Sequence, residues 1–403
     1  MSTQRTVINW LLVYLLVFLS GSWREQLAGN RYLVFGFLAV LVAWYLFTDR
    51  KISDRFVLYV VVFFALLFSL NLYTSGGLPL ASAVGWMMKL VMAYLVLKTV
   101  GADFINIYIK LIVFLAVVSL FGYASDQFHL FEGLVRKLPP APEMGYEGIF
   151  YLYRFPRHMP RNNSIFYEPG AYQGFLNGAL FLLMFTKTGF NNRTKRIFFT
   201  ILAATLVTTF STTRFVIFAA MFPVFLYRSR IATFSGKIMI VAAMVASVIV
   251  FSEQFYTYFV VKMNKYTTAE LNEYDRSSDY KADLIIFRRH IFGIGFKQYQ
   301  QEFSSVRAKS LSSGSNGVTM TLAMYGLPFS LFLFGSFYWA LQRLLRDLLL
   351  ATLAFGMLML FLWGEAWYVG APIIYAIFAA AFVFDRGSVK RDKGELASEA
   401  GQI

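Results

Sequence analysis

The chemistry this chain could do rests on a few charged residues set at the ends of apolar runs. The segment Arg161-Asn162-Asn163-Ser164-Ile165-Phe166-Tyr167-Glu168-Pro169-Gly170 closes a long polar stretch and opens an apolar one. A carboxylate at the mouth of an apolar bundle loses part of its hydration, holds its proton more tightly and becomes suited to general-base work. The same residues also read as a plain helix start, with Pro169 at the first helical position and an acid near the positive end of the dipole. Gln173 and Asn177 follow Glu168 along the same helix and would carry a polar line into a cleft.

Cations complete the set. Arg214 is the single charge between Ile197 and Tyr227. An arginine near a bilayer centre costs about 2.5–3.5 kcal/mol. A carboxylate partner, snorkelling, or a bound anion gripped by the guanidinium fork would offset that cost. Further along, Asp275-Arg276-Ser277-Ser278-Asp279-Tyr280-Lys281 leads to Arg288-Arg289-His290-Ile291-Phe292-Gly293-Ile294-Gly295. Tyr280, Leu284, Phe287 and Ile291 fall on one helical stripe. Lys281 and Arg288 flank it on one side and Arg289 points the other way. Such a helix would lie over the bundle and aim two cations at a cleft, or present an ordinary solvated face. Asp275, Asp279 and Asp283 have helical spacing, which acids at a helix start explain more cheaply than a metal site. His129, His158 and His290 form no pair at ligand spacing. Lys89 and Glu365 are intramembrane charges, either functional or paired and snorkelling. Gly293-Ile294-Gly295 lacks the third glycine of a nucleotide loop.

The elements that must position these residues are set by composition. Of 403 residues, 58% are apolar and only 15% charged, against roughly 25% charged in a soluble domain. Twelve spans of about 18 residues would use about 216 residues, close to the apolar total. A soluble multidomain protein, a disordered chain and a fibre are excluded. There are no cysteines, so disulfides and thiolate metal sites are excluded too. A net charge of +15 would point to nucleic acid in a soluble protein. In a membrane protein it marks loops, and no nucleic acid partner is expected.

Apolar runs bounded by charge occur near Val7–Ser20, Tyr32–Phe47, Phe56–Tyr73, Leu80–Leu97, Leu111–Tyr123 and Tyr172–Phe185. Others follow near Ile197–Phe210, Phe215–Tyr227, Ile238–Phe251, Val318–Leu341, Leu348–Leu362 and Trp367–Phe384. As one helix, Ile197–Tyr227 would be about 46 Å long against a bilayer core of about 30 Å. Both its flanks are basic, and basic flanks stay cytoplasmic. The segment therefore crosses twice, with Ser211-Thr212-Thr213-Arg214 at the tip, and Leu348–Phe384 follows the same logic with Gly364-Glu365-Ala366 at its tip. The expected fold is all-α: a single polytopic membrane domain over 1–384 with about twelve transmembrane helices. Both termini are expected in the cytoplasm and a polar tail over 385–403. Two long outer loops, 124–169 and 252–316, carry short helices and are rich in Tyr, Phe and Arg.

Taken together, these motifs resemble those of the Wzy-type O-antigen (oligosaccharide repeat-unit) polymerases, in the wider group that includes the O-antigen ligases. The likeness spans most of the chain and rests on motif order. Arg161-Asn162 … Phe166-Tyr167-Glu168-Pro169-Gly170 resembles the Arg-Asn … Glu-Pro-Gly start of a middle span. Ser211-Thr212-Thr213-Arg214 is similar to Ser-x-Ser-Arg at a hairpin tip, with Thr213 in place of the second Ser. Arg276, Tyr280 and Phe292-Gly293-Ile294-Gly295 resemble the run of the large outer loop. Ser315-Asn316, before a span holding Tyr325-Gly326, is similar to a His-Asn pair, with Ser315 in place of the His that ligases use as base.

The resemblance implies polymerisation of polyprenyl-diphosphate-linked glycans, which serve as both donor and acceptor, on the periplasmic side of a bacterial inner membrane. It implies no metal or cofactor. Arg214 and Arg276 would grip the diphosphate, backed by Arg161, Arg288 and Arg289, and Glu168 would take the proton of the attacking hydroxyl. Lys281, Gln173, Asn177 and Asn316 would contact substrate. Partners would be membrane lipid, a chain-length regulator and a flippase. The alternatives are a ligase transferring glycan to lipid A and a flippase for the lipid-linked glycan.

Overall fold

Runs of apolar residues between charges become helices because backbone polar groups among apolar side chains must be satisfied within the segment. The computed structural model describes residues 3–22, 30–47, 51–74, 80–128, 130, 140–141, 145–146, 151, 161–228, 276–307, 316–364 and 371–384. The helices in chain order begin with α1 (Thr3–Phe18), α2 (Asn30–Phe47), α3 (Asp54–Tyr73), α4 (Leu80–Val100) and α5 (Phe104–Gln127). After the first long connection come α6 (Pro169–Phe185), α7 (Asn192–Thr208) and α8 (Thr212–Arg228). The last group is α9 (Arg276–Arg289), α10 (Gly295–Arg307), α11 (Gly317–Leu345), α12 (Leu348–Gly364) and α13 (Ala376–Val383). A two-residue antiparallel pair, β1 (Pro140–Ala141) with β2 (Gly145–Tyr146), is the one strand pair among the described residues apart from an isolated bridge.

Two helical runs, Ser82–Gln127 and Gly317–Leu345, are long and apolar enough to cross a membrane. Shorter apolar helices are Gln4–Phe18, Val34–Phe47, Val216–Tyr227, Leu348–Gly364 and Pro372–Val383. The connection expected between Leu97 and Leu111 is reduced to the 3₁₀ turn Gly101–Asp103, where Gly101 takes φ +68°. Unbroken, the 46-residue run Ser82–Gln127 would measure about 69 Å at 1.5 Å per residue. The break divides it into two lengths of span size.

Turn chemistry sets the ends. The Asn191 side chain caps α7, accepting from Thr194 N at 2.8 Å. Asp347 Oδ1 accepts from Leu350 N at 3.0 Å and starts α12, just after Arg346 turns the chain at φ +53°. The α7–α8 turn falls at Thr209–Ser211, with Phe210 at φ +45°. Arg214 therefore sits in the first turn of α8 and not at the tip, which corrects the expected position. The chain turns early because Phe210 takes the left-handed region, so α8 already begins at Thr212.

The chain divides into two compact units. The first comprises Met1–Leu12, Arg31–Phe104 and Ala269–Ile403. In it α11 packs against α3, α9, α10, α12 and α13, and α4 packs against α3 and α13. Its core is aromatic: Trp86 lies 5.3 Å from Tyr325, Phe337 4.1 Å from Phe378, and Phe56 stacks on Tyr94 at 3.8 Å between centroids. The second unit comprises Val13–Asn30 and Ile105–Thr268. There α6 packs against α7 and α8 and is buried along most of its length.

Candidate functional site

In the second unit, the loop before α6 is held by a polar network that rises from Asn162. Its Nδ2 donates to Ser119 Oγ at 3.1 Å and to Thr208 Oγ1 at 2.9 Å, and its backbone N–H donates to Thr208 O at 3.0 Å. Ser119 Oγ also meets the Tyr172 hydroxyl at 2.9 Å. Asn162 Oδ1 accepts from Ser164 N, and Ser164 takes the left-handed φ of +51° that turns the chain. Asn163 Nδ2 closes the turn on Phe166 O at 2.9 Å. Phe166 forms an antiparallel bridge with Ser22, and the Tyr167 N–H donates to Gly21 O at 3.1 Å. Asn162, Asn163 and Ser164 are all buried, so this loop is a rigid platform.

Arg161 reaches the same neighbouring turn. Its Nη1 donates to Phe210 O at 3.2 Å. Arg161 and Asn162 thus fasten the α7–α8 turn, and with it the start of α8 where Arg214 sits, to the loop that ends at Glu168. Two motifs 49 positions apart are thus one structural unit. Glu168 is the half-buried N-cap of α6, with extended backbone at φ −148°, and its carboxylate makes no capping hydrogen bond. An acid at this N-cap sits near the positive end of the α6 dipole, as the helix-start reading expects. Farther along α6, Gln173 and Asn177 are buried. Among the described residues, neither the oxygen nor the nitrogen of the Gln173 amide has a hydrogen-bond partner. A buried amide without partners costs a few kcal/mol in an apolar setting, so a polar ligand or water at that position would be stabilising.

In the first unit, α9 corrects the expected amphipathic face. Ser278, Asp279, Ala282, Asp283 and Ile286 are the buried positions. Tyr280, Leu284 and Phe287 are half-buried and Ile291 is exposed, with the Tyr280 ring 6.0 Å from Trp363. The polar face is inside because α10 and α11 supply its partners. Arg307, 1% exposed, pairs with Asp279 Oδ1 at 3.1 Å and donates to Ser278 Oγ. Asp283 accepts from the Tyr299 hydroxyl and from Thr319 Oγ1, each at 2.6 Å. Burial pushes the Asp283 carboxyl up to about 7, against the pull of the two hydroxyls and helped by the charge of Asp279. Asp279 lies in the first turn of α9, as expected of a helix-start acid, and both it and Asp283 are also buried in the core. Arg307 and Tyr299 were missed, although a signal existed. Tyr299, Phe303 and Arg307 recur every four residues on the buried face of α10, so Arg307 had to find a buried partner.

The remaining predicted residues fall as follows. Arg288 and Arg289 are exposed in the last turn of α9, and Lys281 is half-buried. Asn316 caps α11, its Oδ1 accepting from Val318 N at 3.0 Å and Thr319 N at 3.1 Å. His290 pairs with Glu302 at 2.9 Å and ties α9 to α10. Arg276 opens α9, and Lys89 lies half-buried within α4. The side chains of Arg214 and Arg276 lie outside the described residues. So do the expected span 238–251, loop residues 252–275 and 308–315, His129, His158, Glu365 and the tail 385–403.

No protein-family model matches the chain, and no curated protein matches it.

Proposed function

We propose that this chain is a multi-pass membrane glycosyltransferase that joins oligosaccharide repeat units carried on polyprenyl diphosphate. In this reading the chain crosses the inner membrane about twelve times with both termini in the cytoplasm, and the loop ending at Glu168 opens on the periplasmic side. An acceptor sugar hydroxyl attacks the anomeric carbon of the donor. The new C–O bond forms as the bond to the diphosphate oxygen breaks, the hydroxyl proton passes to Glu168, and polyprenyl diphosphate leaves with its negative charge. Such a leaving group needs fixed cations more than an acid, and cations in a partly dry cleft supply that.

The observation that carries this reading is the tie from Arg161 and Asn162 to Phe210 O and Thr208. It couples the start of the helix bearing Arg214 to the loop bearing Glu168 within one unit. The buried Gln173 amide, without hydrogen-bond partners among the described residues, supports a polar ligand along α6. Arg276, Lys281, Arg288 and Arg289 belong to the other unit, and their contribution is a matter for substitution alone.

The test is the purified full-length protein in lipid nanodiscs with synthetic polyprenyl-diphosphate-linked repeat units. Products of two and more units are expected. Glu168→Gln should cut their formation about 10²–10⁴-fold, the usual contribution of a general base, with donor binding retained. Arg214→Ala should abolish it and weaken donor binding. Transfer to lipid A only, or translocation without glycan joining, would overturn the reading in favour of a ligase or a flippase.

A further inference from the structure

An open groove of about 590 Å³ lies on the first unit, along α3 and α11. That volume is in the range of about 300–1,000 Å³ typical of small-ligand sites. Tyr59, Phe332, Gly335 and Trp339 form its walls, and Arg55 and Arg343 stand with them. Leu331 marks the far end on α11, twelve residues before Arg343, about 18 Å along the helix axis. The apolar walls are open to the surroundings: Leu58 is 64% exposed and Leu331 64%. At the other end the Arg343 guanidinium lies 5.3 Å from the centroid of the Trp339 ring. Arg55 is in the first turn of α3 and Arg343 in the last turn of α11. Both positions adjoin the basic connections around Lys51 and Arg346.

A trough that is apolar along its length and cationic at one end matches an amphiphile with an anionic head and a hydrocarbon tail. Basic pockets between membrane helices on the cytoplasmic side hold anionic headgroups in this way. We infer that the groove binds an anionic glycerophospholipid of the cytoplasmic leaflet, its phosphate held by Arg55 and Arg343 and an acyl chain lying against Tyr59, Phe332 and Trp339. The inference rests on the membrane topology proposed above. It does not involve the glycan carrier, whose diphosphate is proposed on the opposite side. A helix from a second copy is the other occupant that could fit the trough, and the test separates the two.

Native mass spectrometry reads the result on the full-length protein, released from micelles of phosphatidylglycerol and phosphatidylcholine of equal chain length. The wild type should retain phosphatidylglycerol over phosphatidylcholine on the order of tenfold, as two near-surface cations imply. Arg55→Gln/Arg343→Gln should erase that preference. Gly335→Leu should reduce retention of both lipids several-fold with Tm in detergent unchanged, because a Cβ there meets nothing within 4 Å. Equal retention of the two lipids by the wild type overturns the inference. So does a preference that survives both variants, or a dimer that Gly335→Leu dissociates without loss of lipid. Lipid retention is read without glycan substrate, so a chain that fails to polymerise but passes this test leaves the groove standing, and the reverse also holds.

Discussion

Asp283 is the residue whose chemistry is most exposed to test. Hydroxyls, not a cation, answer both its oxygens, and Arg307 is already engaged by Asp279. Its carboxyl is raised to about 7, whereas an unfolded chain titrates near about 3.9. Between those values the folded state binds the extra proton, so stability is greatest at the acidic end and falls as pH rises through the interval. Each pH unit of that interval is worth about 1.4 kcal/mol. Asp283→Asn keeps the shape and one acceptor and removes the titration. Its Tm should change little between pH 5 and pH 8 and should exceed the wild-type value at pH 8. Thermal unfolding at a series of pH values checks this, and parallel profiles for the two proteins would refute it. Arg307 tests the same cluster from the cation side. Arg307→Met removes a buried partner of Asp279 and should cost a few kcal/mol, and adding Asp279→Leu should return most of it.

At the scale of elements, the turn between α9 and α10 explains two motifs that sequence reading left apart. Gly326 breaks α11 at φ +75°, and Pro328 follows it. The Leu327 N–H donates to Ile291 O at 2.8 Å, and Ser330 Oγ returns a bond to Gly326 O at 2.7 Å. Gly293, at φ +85°, sits so close that a Cβ there would meet Gly326 N at 2.6 Å. Neither glycine tolerates a side chain because backbone lies against backbone. Gly326→Ala should lower stability by about 1–3 kcal/mol through strain alone, and Gly293→Ala by a similar amount. Because they lose the same contact, the double variant should cost less than the two single losses together. Full additivity in denaturation midpoints would break the claim. Helix positions were legible because hydrophobic length is local: Phe56–Tyr73 was expected for α3 and Asp54–Tyr73 is found. The buried face of α9 and the end of α7 were not legible. The first depends on partners distant in the chain and the second on the left-handed turn at Phe210, and neither leaves a hydrophobic period. At the candidate site, Glu168, Gln173 and Asn177 were read from spacing, whereas the fastening of Phe210 by Arg161 follows only from the fold.

For the molecule as a whole, the proposed function depends on which face of the membrane each connection meets. The argument is one of charge: Lys187 precedes α7, Arg193, Lys195 and Arg196 lie in its first turns, Arg343 and Arg346 end α11, and short basic connections tend to stay cytoplasmic. In the proposed topology the first long connection, which leads to Glu168, is therefore external. The absence of cysteine from the chain makes the test clean, since any introduced thiol is the only one present. Lys187 and Gln342 are exposed, and Leu130 is 62% exposed in the first long connection. Leu130→Cys should react with a membrane-impermeant maleimide in intact cells stripped of their outer membrane. Lys187→Cys and Gln342→Cys should react only after the inner membrane is opened. The opposite pattern would turn the Glu168 loop toward the cytoplasm. It would then also turn the Arg55 and Arg343 end of the groove outward, so one labelling experiment bears on both proposals. A mixed pattern, with Lys187 outside and Gln342 inside, would make the number of crossings between them odd where the proposed topology has four, and, with Lys187 outside, a twice-crossing Ile197–Tyr227 hairpin would present its Arg214 turn to the cytoplasm, away from any external lipid diphosphate.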